Sequence, residues 1–153
     1  MRKLSCLLFL LLLFTAAVSE AHRNSLVDNP NYIFMWKEDK VSTYLQRSSL
    51  VVQKYDPPKY NIKITVITAD RKNRITDTQT VTFYYSYDRR RMYRYVDGKW
   101  EYLSSTNEDA EVSKWRDIGE VTFCLANNRH FYGKDGGYSD EFYERIPRTK
   151  NKR

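Results

Sequence analysis

Residues 75–87, Ile-Thr-Asp-Thr-Gln-Thr-Val-Thr-Phe-Tyr-Tyr-Ser-Tyr, form the longest strand candidate in the chain. Residues of high β-propensity dominate this stretch, and they alternate between two faces with a period of two. Val81, Phe83, Tyr85 and Tyr87 share one face, which predicts a strand that buries this side. A slip in register by one residue would expose that face, so we expect the register to be well specified.

Strand candidates continue on both sides of this segment. Residues 32–36 and 41–45 predict a first hairpin, residues 50–53 follow Ser48-Ser49, and residues 60–66 again alternate apolar with polar side chains. Pairing is expected to stop at Pro57-Pro58, because proline lacks a backbone donor. On the other side, Asp97-Gly98 separates residues 92–96 from residues 99–103, and this dipeptide is typical of a type I′ hairpin turn.

The apolar period changes after Lys114 from that of a strand to that of a helix. We expect Asp117 to cap this helix, Glu120 to complete a variant capping box, and Gly133 to end it. The apolar stripe that predicts an amphipathic helix consists of Ile118, Val121, Thr122, Leu125 and Ala126.

Together these patterns predict the α+β class, with an antiparallel meander sheet of about six strands packed against one C-terminal amphipathic helix. Residues 28–133 are expected to form a single domain. Residues 134–153 are polar, and their last part is strongly basic, so we predict a flexible tail.

Residues 1–21 have the order of regions found in a secretory signal peptide. Arg2 and Lys3 precede an apolar run over residues 7–14, and small residues lead to an expected cleavage near Ala21. The run is too short to span a bilayer core of about 30 Å, and no later stretch predicts a transmembrane segment. The mature protein is therefore expected to be periplasmic or extracellular.

The chain has 153 residues and a formal net charge of +7, which favours contact with acidic partners. Cys6 lies before the apolar run, where it does not fit a lipid anchor. Cleavage would leave Cys124 without a second cysteine, so we predict a domain with no internal disulfide, in which Cys124 is a small core residue.

No catalytic, cofactor-binding or metal-binding residues are predicted. Besides His22 the mature chain would contain only His130, and neither zinc-ligand spacing nor a glycine-rich phosphate loop occurs. The sequence therefore favours a protein that is not an enzyme and uses no cofactor.

The segment from Tyr84 to Tyr95 combines arginine with tyrosine. These side chains can stack on sugars or bases and pair with sulfate or phosphate. The alternative interpretation is an ordinary tight turn with cross-strand tyrosine packing. The predicted binding residues are Arg89, Arg90, Arg91, Tyr93, Arg94 and Tyr95.

Several motifs between Asp28 and Gly133 together resemble an uncharacterised family of small exported bacterial proteins, which is similar in layout to the surface-adhesin protein E domain. The resemblance implies an antiparallel sheet with a helix, and it suggests an adhesin-like role. The chain departs from protein E in lacking a lipid-anchor cysteine and a disulfide pair, so only the architecture is carried over. The motifs are Asn29-Pro30-Asn31-Tyr32-Ile33, Tyr44-Leu45, Ser48-Ser49-Leu50, residues 55–60, residues 87–93, Trp100-x-Tyr102-Leu103, Ile118-Gly119-Glu120 and Phe131-Tyr132-Gly133.

Three functional hypotheses follow, of which the third is an enzyme, whose sign would be a pocket that encloses His130, Cys124 and a carboxylate. The first is an exported, non-catalytic binding module of the bacterial envelope, whose partner is an anionic polysaccharide, a membrane surface or an envelope protein. Nucleic acid is a disfavoured partner, because export separates the protein from it. The second is a structural or assembly component of the periplasm or envelope that acts through sheet-edge pairing.

Overall fold

The computed structural model describes residues 26–146, in which six strands form one antiparallel sheet in the order β1-β2-β3-β4-β5-β6. Each strand pairs with its neighbour in sequence, and one main helix packs against the sheet. This arrangement confirms the predicted α+β meander. The strands are β1 Tyr32–Glu38, β2 Val41–Asp56, β3 Lys59–Ala69, β4 Ile75–Ser86, β5 Arg91–Val96 and β6 Lys99–Tyr102.

The inner face of the sheet buries the alternating side chains that the sequence identifies. Ile62 opposes Phe83 across β3 and β4, Tyr60 opposes Tyr85, and all four side chains are buried. Removing this apolar area from water stabilises the fold by about 25 cal/mol per Å².

Turn chemistry explains the hairpins. Val96 pairs with Lys99, and the intervening Asp97 and Gly98 have φ angles of 47° and 79°, so the predicted Asp-Gly turn is confirmed. Pro57 and Pro58 separate β2 from β3 as expected. The strand β2 runs through Ser48-Ser49, but its register with β3 shifts between Gln46 and Val51.

The main helix, α1, spans Ala110–Asn127 and contacts β2, β3 and β5. It begins two turns before the predicted start, because Asp109 is the residue whose carboxylate accepts from the backbone N–H groups of Glu111 and Val112. Asn128 ends the helix in a left-handed conformation, earlier than the expected stop at Gly133. The prediction that Asp117 and Glu120 form a capping box is therefore wrong.

Residues 134–146 are folded, in contrast to the predicted tail. A 3₁₀-helix spans Gly133–Gly136, and a short helix, α2, spans Asp140–Glu144. Tyr138, Tyr143 and Ile146 are buried in the main core, which fixes this segment against α1. The predicted signal peptide at 1–21 and the rest of the tail, 147–153, lie outside the described residues.

The outer face of the sheet is covered only in part. Leu26 packs there with Tyr44, Ile67 and Ala69 in a small second cluster on β2 and β3. The aromatic side chains that β4, β5 and β6 direct to this face are not part of that cluster.

Candidate functional site

Aromatic side chains form a continuous row on the outer face of β4, β5 and β6. Tyr84 lies opposite Tyr93, which lies opposite Tyr102, and Tyr95 lies opposite Trp100. The ring centroids of Tyr93 and Tyr102 are 5.2 Å apart, and those of Tyr95 and Trp100 are 5.1 Å apart. About half of the Trp100 and Tyr95 side chains is exposed, so they provide apolar surface for contact with a partner.

Basic residues border this aromatic row at the end of the sheet that holds the β2–β3 and β4–β5 turns. Together they enclose a cleft of about 490 Å³, which we call the outer cleft. None of the residues that line it is acidic, so it is a region of positive potential. The lining residues are Lys54, Lys59, Asn61, Tyr84, Ser86, Arg89, Arg91, Tyr93 and Trp100.

Cross-strand register explains why these residues meet. Lys54 of β2 pairs with Asn61 of β3, which pairs with Tyr84 of β4. One step nearer the turns, Lys59 pairs with Ser86, which pairs with Arg91. With Trp100 of β6, five strands thus contribute side chains to one surface.

Two carboxylates lie near the cleft. Asp56 forms an ion pair with Lys54 at 3.4 Å, and both side chains are largely exposed, so this pair contributes little to stability. Asp88 accepts a hydrogen bond of 2.7 Å from the Ser86 hydroxyl, and that bond lowers the pKa of Asp88. The charge of Arg89 lowers the pKa of Asp88 further, so Asp88 stays ionised at neutral pH. Neither Arg89 nor Arg91 forms an ion pair among residues 26–146.

Asn61 lines the cleft, and its side chain also holds a buried acceptor. Its Oδ1 atom is enclosed, yet it has no hydrogen-bond partner within the described part of the chain. A buried polar atom without a partner costs about 1–3 kcal/mol.

The structure divides the residues predicted for binding into two groups. Arg89, Arg91 and Tyr93 line the outer cleft, and Tyr95 lies beside it on the outer face. Arg90 points elsewhere: its guanidinium donates to the carbonyl of Phe131 and lies 4.5 Å from the ring centre of Tyr87.

Arg94 differs most from its predicted role. It is buried on the inner face, where it pairs with Glu101 and lies 3.4 Å from Glu111 of α1. Its guanidinium also lies 4.4 Å from the ring centre of Trp115. Arg94 therefore joins the start of α1 to β5 and β6, and it does not face the outer cleft.

Sequence reasoning missed Lys54, Lys59, Asn61 and Trp100, which belong to the cleft. Lys54, Lys59 and Asn61 lie far from the Tyr84–Tyr95 segment in the sequence, and only the strand register brings them to it. Trp100 is close in sequence, and the pairing of Tyr95 with Trp100 in the Asp97-Gly98 hairpin could have identified it. The parity of residues on β5 would have separated Arg94 from Arg91, Tyr93 and Tyr95, because side chains alternate between faces.

Other kinds of site are not found among residues 26–146. No group of three or more histidine, cysteine, aspartate or glutamate side chains is placed to hold a metal ion. No helix in this part of the chain has both the length and the apolar character to cross a membrane. Cys124 is half-buried on α1 and packs against the core.

Comparison with known proteins found no matching protein family, no matching curated protein and no matching solved structure.

Proposed function

We propose that the protein is an exported, non-catalytic binding module that holds an anionic partner in the outer cleft. The observation that supports this most directly is the composition of the cleft, in which four cations and three aromatic rings share one surface with no acidic lining residue. An adhesin-like role at the bacterial envelope, as the resemblance implies, is one form of this proposal.

The chemistry of these side chains suits an anion attached to a less polar framework. Arginine donates two parallel hydrogen bonds to a carboxylate, sulfate or phosphate, and lysine adds a point charge. The aromatic row offers apolar surface against which a sugar ring can pack. A simple inorganic anion would use only the first of these features.

The test is binding of the domain to immobilised heparin and to vesicles of anionic lipid at about 0.15 M salt, where screening acts over about 8 Å. Arg89→Ser with Arg91→Ser should weaken binding about tenfold. The control is Arg71→Ser with Lys72→Ser, which removes the same charge from the β3–β4 turn at the opposite end of the sheet. Equal loss in both variants would show that only net charge matters and would overturn the assignment of the cleft.

A second candidate function is assembly through a sheet edge, and one observation favours it. The strand β1 pairs with β2 only as far as Gln46, so residues 51–56 of β2 have one unpaired edge within the described residues. Val51 is 52% exposed and Tyr55 is 69% exposed on this segment. An exposed edge with apolar side chains is a template for another strand.

The mass of the protein in solution tests this second candidate. Pairing at this edge predicts a dimer or a stable complex that Val51→Lys dissociates, because an edge lysine opposes strand addition. A monomer that captures no envelope protein from a periplasmic extract would count against assembly.

A further inference from the structure

A second basic cleft lies on the other side of the β4–β5 turn. It has a volume of about 490 Å³, and its cations are Arg90, Arg129 and Lys134. Asp135 is the one acidic residue that lines it. The side chains of Arg129 and Lys134 are exposed, so both can meet a ligand.

The segment after α1 that carries Arg129 and Lys134 is held firmly. The buried carboxylate of Glu120 accepts hydrogen bonds from the backbone N–H groups of Phe131 and Tyr132 at 2.8 and 2.9 Å. The ring of His130 stacks on Tyr143 at 3.5 Å between ring centres. Arg129 is therefore presented from a preorganised backbone, which lowers the entropic cost of binding.

Three consecutive arginines join the two clefts. Arg89 and Arg91 line the outer cleft, whereas Arg90 lines the second. Arg90 has a φ of 51°, in the left-handed region that favours glycine. This conformation accompanies the reversal of the chain between Ser86 and Arg91, which pair across the turn.

Positive charge is concentrated at this end of the molecule. Residues 26–146 contain almost as many acidic as basic side chains. At the turn end, however, the linings of the two clefts hold seven cations and one acidic residue, Asp135, and Asp56 and Asp88 lie close by. The seven are Lys54, Lys59, Arg89, Arg90, Arg91, Arg129 and Lys134.

We propose that one linear acidic polysaccharide, bearing sulfate or uronate groups, occupies both clefts and passes around the β4–β5 turn. This inference rests on the proposed function of the outer cleft and adds a second site to it. The two clefts lie on opposite sides of the turn, so an anion of the size of one sugar fills only one of them. A chain with regularly spaced anionic groups can neutralise both clefts.

Asn61 in the lining of the outer cleft favours a glycan. A side-chain amide can act as donor and as acceptor toward sugar hydroxyls, whereas a sulfate or carboxylate group can only accept from it. The aromatic rings of the outer face are tilted on one another, with interplanar angles of 44° between Tyr93 and Tyr102 and 61° between Tyr95 and Trp100. Successive nucleic-acid bases stack on flat ring faces, which these mutually packed rings offer less readily.

The experiment compares a sulfated heparin disaccharide with long heparin chains, using the folded domain and isothermal titration over a range of salt concentrations. Wild-type protein should bind the long chain at least about tenfold more tightly than the disaccharide, because one chain makes two linked contacts. Arg129→Ser with Lys134→Ser should remove most of that gain and reduce the salt slope by about two, since two cations no longer release counterions.

The matched control is again Arg71→Ser with Lys72→Ser. If the Arg129 and Lys134 variant binds the long chain as wild type does while the disaccharide still binds, the second site is wrong and the outer cleft stands. If wild-type protein binds neither heparin ligand but binds vesicles of anionic lipid, the polysaccharide is wrong and the proposed function stands; if it binds none of these, the proposed function itself fails. If oligothymidylate of matched length and charge binds more tightly than heparin, the assignment to a polysaccharide is overturned.

Discussion

The hydroxyl of Tyr143 donates a hydrogen bond of 2.6 Å to the fully buried carboxylate of Glu120. The same carboxylate accepts from the backbone N–H groups of Phe131 and Tyr132. One side chain of α1 thereby fixes both the loop after the helix and the short helix α2. A buried carboxylate is stable here because hydrogen-bond donors surround its oxygens.

Replacing Glu120 should therefore destabilise the fold more than an ordinary polar substitution. Glu120→Gln turns an amide NH₂ toward a former donor and should lower the free energy of unfolding by about 1–3 kcal/mol. Glu120→Ala leaves three donors unsatisfied and should cost more. Urea denaturation measures both, with the exposed Glu144→Gln on α2 as the control. Equal stability of Glu120→Gln and wild type would show that the carboxylate is not needed.

A second prediction concerns Arg94 and Arg91, which lie on one strand but face opposite sides of the sheet. Arg94→Gln removes the contact with Trp115 and the links to Glu101 and Glu111, and should cost about 1–2 kcal/mol of stability. It should leave heparin binding of the folded protein unchanged.

Arg91→Ser should have the opposite profile, because its side chain is exposed in the outer cleft. We expect weaker heparin binding with a change in stability of no more than about 0.5 kcal/mol. Thermal denaturation and titration on the same samples measure both properties. Loss of heparin binding by folded Arg94→Gln would contradict the division of these residues between the two faces.

The sequence predicts those parts of the fold whose signals lie within a short stretch of residues. Alternation and the Asp97-Gly98 turn are local, and they identify the strands and their buried faces correctly. The sequence predicts too late a helix start because Asp117 resembles a cap, whereas Asp117 is half-buried within α1 and accepts from the Tyr138 hydroxyl at 2.8 Å. The true cap, Asp109, precedes two turns with little apolar pattern.

The C-terminal segment and the cleft depend on distant contacts. Tyr138, Tyr143 and Ile146 are buried but do not recur with a helix or strand period. Because the residues around them are mostly polar, the sequence does not indicate that they are buried. The outer cleft likewise joins Lys54 and Trp100, which are brought together by the order and register of five strands. The composition of the Tyr84–Tyr95 segment indicates the part of this surface formed by β4 and β5, but not the part formed by β2 and β3.

A third prediction concerns the close packing of α1 on the sheet at Gly119. A Cβ atom at this position would overlap the Sδ atom of Met92 and lie 3.2 Å from the ring of Phe83. Gly119→Ala should therefore destabilise the protein by about 1–2 kcal/mol, although alanine favours a helix by up to about 1 kcal/mol over glycine.

A compensating variant tests this explanation. Met92→Ala removes the side chain that the new Cβ would meet, so the double variant should be more stable than the sum of the two single changes predicts. Additive losses measured by urea denaturation would show that the two residues do not clash. Ala110→Gly at the exposed start of α1 provides a control for helix propensity alone.

The last prediction concerns alkaline pH. Burial raises the pKa of Tyr85, Tyr132, Tyr138 and Tyr143 above the ordinary value of 10.0. For Tyr143 the hydrogen bond to Glu120 adds to this effect, and for Tyr138 the neighbouring Asp117 does. These hydroxyls therefore stay protonated in the folded protein at a pH where the unfolded chain ionises.

The sign of the pH dependence follows. Below about pH 10 both states hold these protons, so this source of stability is fully present. Above it the unfolded state releases protons that the folded state keeps, and each such tyrosine lowers the free energy of unfolding by up to about 1.4 kcal/mol per pH unit. Urea denaturation from about pH 9 to pH 12 should show this decline, and Tyr138→Phe should reduce its slope. An unchanged slope in that variant would mean that Tyr138 ionises equally in both states, because phenylalanine has no proton to release.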